Sequence, residues 1–218
     1  MSTRQPRIYT TVIQKTKTDI YLSGSIDEPE DYLNELQVLN EAEPDDEIRI
    51  RINSPGGTFF VAQQIVNAIR NCKGTVIGVL EGISHSAATL VLLACDSWEV
   101  NPGVFLMVHT YSGGSYGKGL ELLLSVQAQH DWITNVMRET YEGFLTPEEM
   151  VMIEEHGKDL WMETDEILRR LNNVATLRNL RKQEEEELAQ EAALTQLMEL
   201  VQDDRQDCAG DSERSTEL

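Results

Sequence analysis

Residues 75–95 read TVIGVLEGISHSAATLVLLAC, and the reading of this stretch decides the fold. Thr75 to Leu80 is a short apolar, β-branched run of the kind that forms a buried strand. Glu81-Gly82-Ile83-Ser84-His85-Ser86 follows as a turn, and an apolar helix opens at Ala87. The run from Ala87 to Cys95 is the longest apolar stretch of the chain and is far too short to span a bilayer.

The same unit recurs on both sides. Upstream, Ile48, Ile50 and Ile52 alternate with charged residues and predict a strand. It ends in Asn53-Ser54-Pro55-Gly56-Gly57, and Phe60, Ile65, Ala68 and Ile69 mark the next helix. Earlier still, residues 8–13 and 20–22 are β-rich, Ser23-Gly24-Ser25 is a turn, and a helix follows Pro29. Downstream, Val104 to Val108 is a strand that ends at His109. Strand, turn and helix in repetition imply an α/β fold, with parallel strands joined by crossover helices.

Past the glycine-rich Ser112 to Gly119, the pattern from Leu120 to Glu142 predicts a long helix. Thr146-Pro147-Glu148-Glu149 is a helix start, with Thr as N-cap, Pro in the first turn and Glu at the capping-box position. Gly157 stops that helix, and another runs near Asp165 to Leu171. From Glu184 an acidic helix is expected, with Leu194, Leu197, Met198 and Val201 on one stripe. Asp203 to Leu218 is polar and expected to be disordered.

Composition narrows the function classes. The 218 residues carry a net charge of −20, with 40% hydrophobic residues. That supports a buried core and makes nucleic-acid binding, which needs a basic face, a poor expectation. From Lys182 to Leu218 there are twelve acids against three bases, so nearly half of the excess lies in the tail. Cys72, Cys95 and Cys208 are odd in number and far apart, which fits a reducing cytosol rather than disulfides. The N-terminus has no apolar run behind its basic residues, so no secretory signal is read there. No set of His, Cys and carboxylates has ligand spacing, so no metal is expected.

Acyl transfer by a serine needs an aimed hydroxyl, a base, a group that holds the base, and two N–H groups facing the oxyanion. In an open parallel sheet such sites form beyond the carboxyl ends of strands. Three predicted strand exits meet that description, carrying Gly56-Gly57, Ser84-His85-Ser86 and His109. Ser86 opens a helix whose N-terminus favours negative charge. The Ala87 N–H is one oxyanion donor, and Gly57 supplies the other. The plain alternative is that Ser86 is an ordinary helix N-cap. Ser84 is the rival nucleophile, His85 a rim or surface residue, and His130 and His156 solvated.

Four segments, taken in order, resemble the ClpP peptidases. Asn53-Ser54-Pro55-Gly56-Gly57 is similar to their glycine turn, and Gly82-Ile83-Ser84-His85-Ser86-Ala87-Ala88 to their nucleophile segment. Met107-Val108-His109 is similar to the base motif, and Lys158-Asp159-Leu160-Trp161-Met162 with Glu166 to the segment supplying the acid. The resemblance spans about Ile8 to Leu171. It departs at His85 and Ala87 beside the serine, and at Thr110-Tyr111 after the histidine, which suggests a divergent member such as those encoded by phages.

The resemblance implies a repeated β-β-α spiral of the ClpP/crotonase type, in a domain over 1–172 with a protruding handle helix at about 118–142. Residues 173–218 then form an acidic helix and tail. It implies a serine endopeptidase with Ser86 as nucleophile, His109 as base and Asp159 as its orienter; Asp165 is the fallback. It further implies a cytoplasmic homo-oligomer of stacked heptameric rings, acting on protein or peptide substrates, with an AAA+ unfoldase as partner. No G-x-x-x-x-G-K-[ST] loop occurs, so the chain is expected to hold no cofactor and any ATP use belongs to that partner. The competing readings are a crotonase-like acyl-CoA enzyme and a catalytically inactive Clp ring subunit.

Overall fold

The structure, a computed structural model, describes the backbone of residues 15–213 and the side chains of residues 15–196. The predicted strand at 8–13 and the end of the tail lie outside the described residues. The chain divides into two units, Met1–Leu171 and Asn172–Leu218.

Among the described residues the first unit is built on a six-stranded sheet. Strands β1 (Lys17–Ile26), β2 (Glu47–Gly57) and β3 (Thr75–His85) run parallel side by side. In β2 the predicted alternation holds: Ile48, Ile50 and Ile52 are buried, while Arg49 and Arg51 face outward. Removing each isoleucine side chain from water contributes about 1.5–3 kcal/mol. The arginines are held across the strands, with Arg51 reaching Asp19 at 2.7 Å and Glu81 at 2.5 Å. Helix α1 (Leu33–Glu41) joins β1 to β2, after a 3₁₀ turn that begins at Pro29. Helix α2 (Phe59–Asn71) joins β2 to β3 and buries Val61, Ala62, Ile65, Val66, Ala68 and Ile69.

Strand β3 is longer than the sequence pattern suggested. The residues read as a turn, Glu81 to His85, continue the strand, and the chain reverses at Ser86 alone. This length lets β3 serve two neighbours. Its first half pairs with β4 (Ser97–Val100), and its second half, Ile83 to His85, pairs with β5 (Phe105–Val108). Between them lies α3 (Ala87–Ala94), a helix buried on nearly every side. Strand β6 (Leu160–Glu163) then adds antiparallel to β5, with Val108 opposite Leu160. The sheet is therefore mixed, with β6 its one antiparallel strand among the described residues.

Helix α4 (Gly119–Tyr141) is only half packed. Ile133, Met137 and Tyr141 are buried, whereas Leu120, Leu123, Leu124 and Val126 are exposed. These four exposed residues all lie in its first half. Helix α5 (Pro147–Glu154) starts in the predicted capping box, with both reciprocal Thr146–Glu149 bonds formed. Arg170 binds Glu149 through two bonds of 2.6 and 2.7 Å and so fastens the start of α6 (Thr164–Glu213) to α5. Helix α6 also corrects the tail reading, because Asp203 to Glu213 is helical rather than disordered. Its second part makes up the described backbone of the second unit. Among the described residues no helix is long and apolar enough to cross a membrane.

Candidate active site

The parallel strands β2, β3 and β5 end on the same side of the sheet, which brings the three predicted loops together. Asn53 accepts the Ile83 N–H through its side-chain oxygen at 3.2 Å, tying β2 to β3. Ser54 is wholly buried; its hydroxyl donates to the Gly24 carbonyl at 2.6 Å and accepts the Gly56 N–H at 3.1 Å. Gly56, at φ +89°, then lies against the turn at Ser86: a Cβ there would meet His85 O at 2.5 Å and Ser86 Cβ at 2.8 Å. Gly57 is required for another reason than close approach to a substrate. A Cβ on it would strike the Ile26 backbone of β1.

Ser86 has φ 53° and ψ −127°, and among the described residues it alone has positive φ without being glycine. Such a conformation costs about 1–3 kcal/mol and persists only where its surroundings enforce it. An N-cap serine sits in the extended region and spends its hydroxyl on the helix's own N–H groups. Ser86 does neither, since no side-chain cap bond is formed. Its Oγ lies 2.7 Å from His109 Nε2 instead. Its own N–H donates to the Met107 carbonyl at 2.9 Å, which ties the turn to the strand that carries His109. Ser84, the rival, is wholly buried, and among the described residues its hydroxyl has no partner.

Asp159 stands next to His109 by register, just beyond the Val108–Leu160 pair. Its side chain is exposed, and among the described residues no hydrogen bond joins it to His109. Asp165 is exposed in the first turn of α6. Gly57 and Ala87 line the same cavity as Ser86 and His109. As first residue of α3, Ala87 has an N–H with no intrahelical acceptor. On the other strand the Ile26 carbonyl takes the Thr58 N–H at 2.6 Å.

The cavity holds about 550 Å³. Its lining is mixed: Phe59, Phe60, Leu90, Ile133, Met137 and Tyr141 stand beside the polar Asp27, Thr58, Tyr111, Ser112 and Gln129. His85 is not part of it. Its ring packs edge-on against Trp161 at 5.3 Å and Phe105 at 6.0 Å. Burial pushes the His85 pKa below its ordinary value. Two polar residues of the site were missed by sequence reasoning. Thr89 is wholly buried in α3, and Tyr141 ends α4; their hydroxyls meet at 2.5 Å. A threonine amid Ala, Leu and Val was the available signal. Its partner, 52 residues away, was not visible in sequence.

Fold and site together define a class: an α/β protein whose strand-to-helix turn presents a serine to a histidine at the end of the neighbouring strand. The sequence pattern of the Clp protease family matches residues 2–170, and the chain belongs to that family. It is 28% identical over 153 residues to ATP-dependent Clp protease proteolytic subunit 2 of Leifsonia xyli subsp. xyli, which covers 68% of this chain and 66% of the relative. It is 25% identical over 138 residues to the ATP-dependent Clp protease proteolytic subunit of Deinococcus radiodurans, covering 62% and 67%. The chloroplastic proteolytic subunit 4 of Arabidopsis thaliana is 26% identical over 107 residues, covering 47% of this chain and 37% of its own length. The matched segments thus span from about a third to two thirds of these relatives.

Proposed function

We propose that this chain is a serine endopeptidase that cleaves peptide bonds in unfolded or partly processed proteins. The observation that carries the reading is the 2.7 Å bond between Ser86 Oγ and His109 Nε2 at a strained turn. Ser86 Oγ attacks the scissile carbonyl carbon while His109 Nε2 takes its proton. The resulting oxyanion is met by the N–H groups of Gly57 and Ala87. His109 then gives the proton to the leaving amine, and water, deprotonated by the same ring, hydrolyses the acyl-enzyme. Nε2 accepts a proton only if Nδ1 carries the ring hydrogen. Asp159, one residue past the last β5–β6 pair, is the proposed group that holds that hydrogen when its side chain turns inward. The apolar part of the lining, with Phe59, Leu90, Ile133 and Met137, suits an apolar substrate side chain.

The relatives are named as proteolytic subunits of ATP-dependent Clp proteases. By that likeness, this chain works in the cytoplasm as a homo-oligomeric chamber of stacked heptameric rings, fed by an AAA+ unfoldase that supplies all ATP chemistry. Labelling of the full chain by a fluorophosphonate tests the catalytic part. Ser86→Ala abolishes labelling, and Ser84→Ala retains most of it. A crotonase-like acyl-CoA enzyme or an inactive ring subunit takes no label. Equal labelling of Ser86→Ala and the parent chain refutes the assignment.

A further inference from the structure

The Ser86 carbonyl and the Ala87 N–H belong to one peptide unit. That unit is planar and trans, as are all peptide bonds among the described residues, so the N–H points opposite to the carbonyl. Whatever fixes the carbonyl therefore aims the N–H. Thr89 fixes it twice, through its backbone N–H at 3.0 Å and its hydroxyl at 2.6 Å, both donating to Ser86 O.

The Thr89 hydroxyl has a single proton, and a carbonyl only accepts, so that proton lies on the Ser86 side. The contact of 2.5 Å with Tyr141 then has one direction: Tyr141 Oη donates to Thr89 Oγ1. Full burial pushes the Tyr141 pKa up to about 12, which keeps this phenol a donor across the working pH range. The chain of bonds runs from Tyr141 to Thr89 to the Ser86 carbonyl. Each bond polarises the next, and a carbonyl that accepts strongly makes the N–H of its own peptide a better donor.

We infer that Thr89, backed by Tyr141, is a positioning residue for the oxyanion donor: its hydroxyl clamps the Ser86–Ala87 peptide so that the Ala87 N–H faces the reacting carbonyl. Neither side chain touches the reacting atoms in this role. The inference rests on the reading of Ser86 as the acylated nucleophile.

Single-turnover labelling of the full chain by a fluorophosphonate separates binding from reaction. The concentration dependence of the rate gives the inhibition constant KI and the maximal rate kinact, and the P=O oxygen takes the oxyanion's place. Deleting one oxyanion donor costs about 10²–10³-fold. Misaiming one costs less, so Thr89→Val is expected to lower kinact roughly thirtyfold with KI unchanged. Thr89→Ser, which keeps the hydroxyl, reacts like the parent. Tyr141→Phe keeps the ring and lowers kinact about threefold. Adding Tyr141→Phe to Thr89→Val changes nothing more, because the acceptor of the tyrosine proton is already gone.

Thermal unfolding accompanies each variant, and Tyr141→Phe and Thr89→Ser carry the test if Thr89→Val does not fold. The inference is overturned if Tyr141→Phe labels at the parent rate, if Thr89→Ser is as slow as Thr89→Val, or if the losses fall on KI. Ser86→Ala serves as the separate control: if it still labels fully, the nucleophile reading fails, whatever the Thr89 variants do.

Discussion

Replacing Gly56 by alanine separates the fold's need for glycine from the site's. The residue lies at φ +89°, where an L side chain costs about 1–2 kcal/mol. The added Cβ also falls 2.5 Å from His85 O, 2.8 Å from Ser86 Cβ and 2.9 Å from Ala87 N. Ordinary contact begins near 3.4 Å, so the Ser86 turn or the glycine turn has to give by up to about an ångström. All three atoms are backbone or Cβ, so no side-chain rotation relieves the overlap. Overpacking of this kind costs about 1–3 kcal/mol more. At about 2–4 °C per kcal/mol for a unit of this size, the melting temperature should fall on the order of 10 °C. A displacement of about 1 Å at a reacting centre costs about 10²-fold in rate. Gly56→Ala is therefore expected to stay folded at 20 °C and to react with a fluorophosphonate about a hundredfold more slowly. Gly103→Ala is the control: φ is +75°, but the new Cβ meets nothing within 4 Å. It should lose stability through the backbone alone and label normally. If Gly56→Ala labels at the parent rate, the two turns do not support each other as argued.

Acid should destabilise the first unit in two stages. His85 has its pKa lowered from the ordinary 6.5 by burial, so the folded state binds its proton less readily than the unfolded chain. Stability is then full above about pH 6.5 and declines as pH falls below it. Glu149 is held below its ordinary 4.5 chiefly by the Arg170 guanidinium, so its contribution is present above that value and is lost as pH falls further. Chemical denaturation across pH 3 to 8 should show both stages, and His85→Phe should remove only the upper one; an unchanged upper stage excludes His85 as its source. A chain ending at Arg181 is predicted to fold and to label at the parent rate, because every cavity-lining residue precedes Asn172. Any loss should appear in the oligomeric state by analytical ultracentrifugation. A folded, assembled truncation that no longer labels contradicts this division of labour.

Much of the fold was legible where local chemistry decides it. The Ile-Arg alternation of β2 and the Thr146 capping box are patterns whose cause lies within a few residues. Strands β4 and β6 escaped because each exists through its partner: β4 along the first half of β3, β6 antiparallel to β5. The turn after Leu80 was misplaced for a related reason. Gly82 and Ser84 signal a turn locally, but β2 and β5 both pair with Ser84 and keep it in the sheet. The length of α6 was available and unused, since no glycine or proline interrupts the chain from Thr164 to Ala209. At the site, position relative to strand ends pointed to Ser86 and His109. The tyrosine behind Thr89 could not be read, because it meets α3 only through tertiary packing.

The strain at Ser86 also explains why the surrounding residues have so little freedom. Left to itself, a serine at φ 53° relaxes into the extended region, and its hydroxyl turns to cap α3. Three separate elements prevent this. Strand β5 takes the Ser86 N–H through the Met107 carbonyl, and helix α3 holds the Ser86 carbonyl through Thr89. The end of β2 brings Gly56 so near that a Cβ on it would fall 2.8 Å from Ser86 Cβ, which closes the third side. The hydroxyl is left facing His109, its one hydrogen-bond partner among the described residues. A purely structural serine needs none of these restraints, since the relaxed cap satisfies both the side chain and the helix end. That three elements combine to hold the less stable conformation is the physical argument for chemistry at Ser86, and it stands apart from any likeness of sequence.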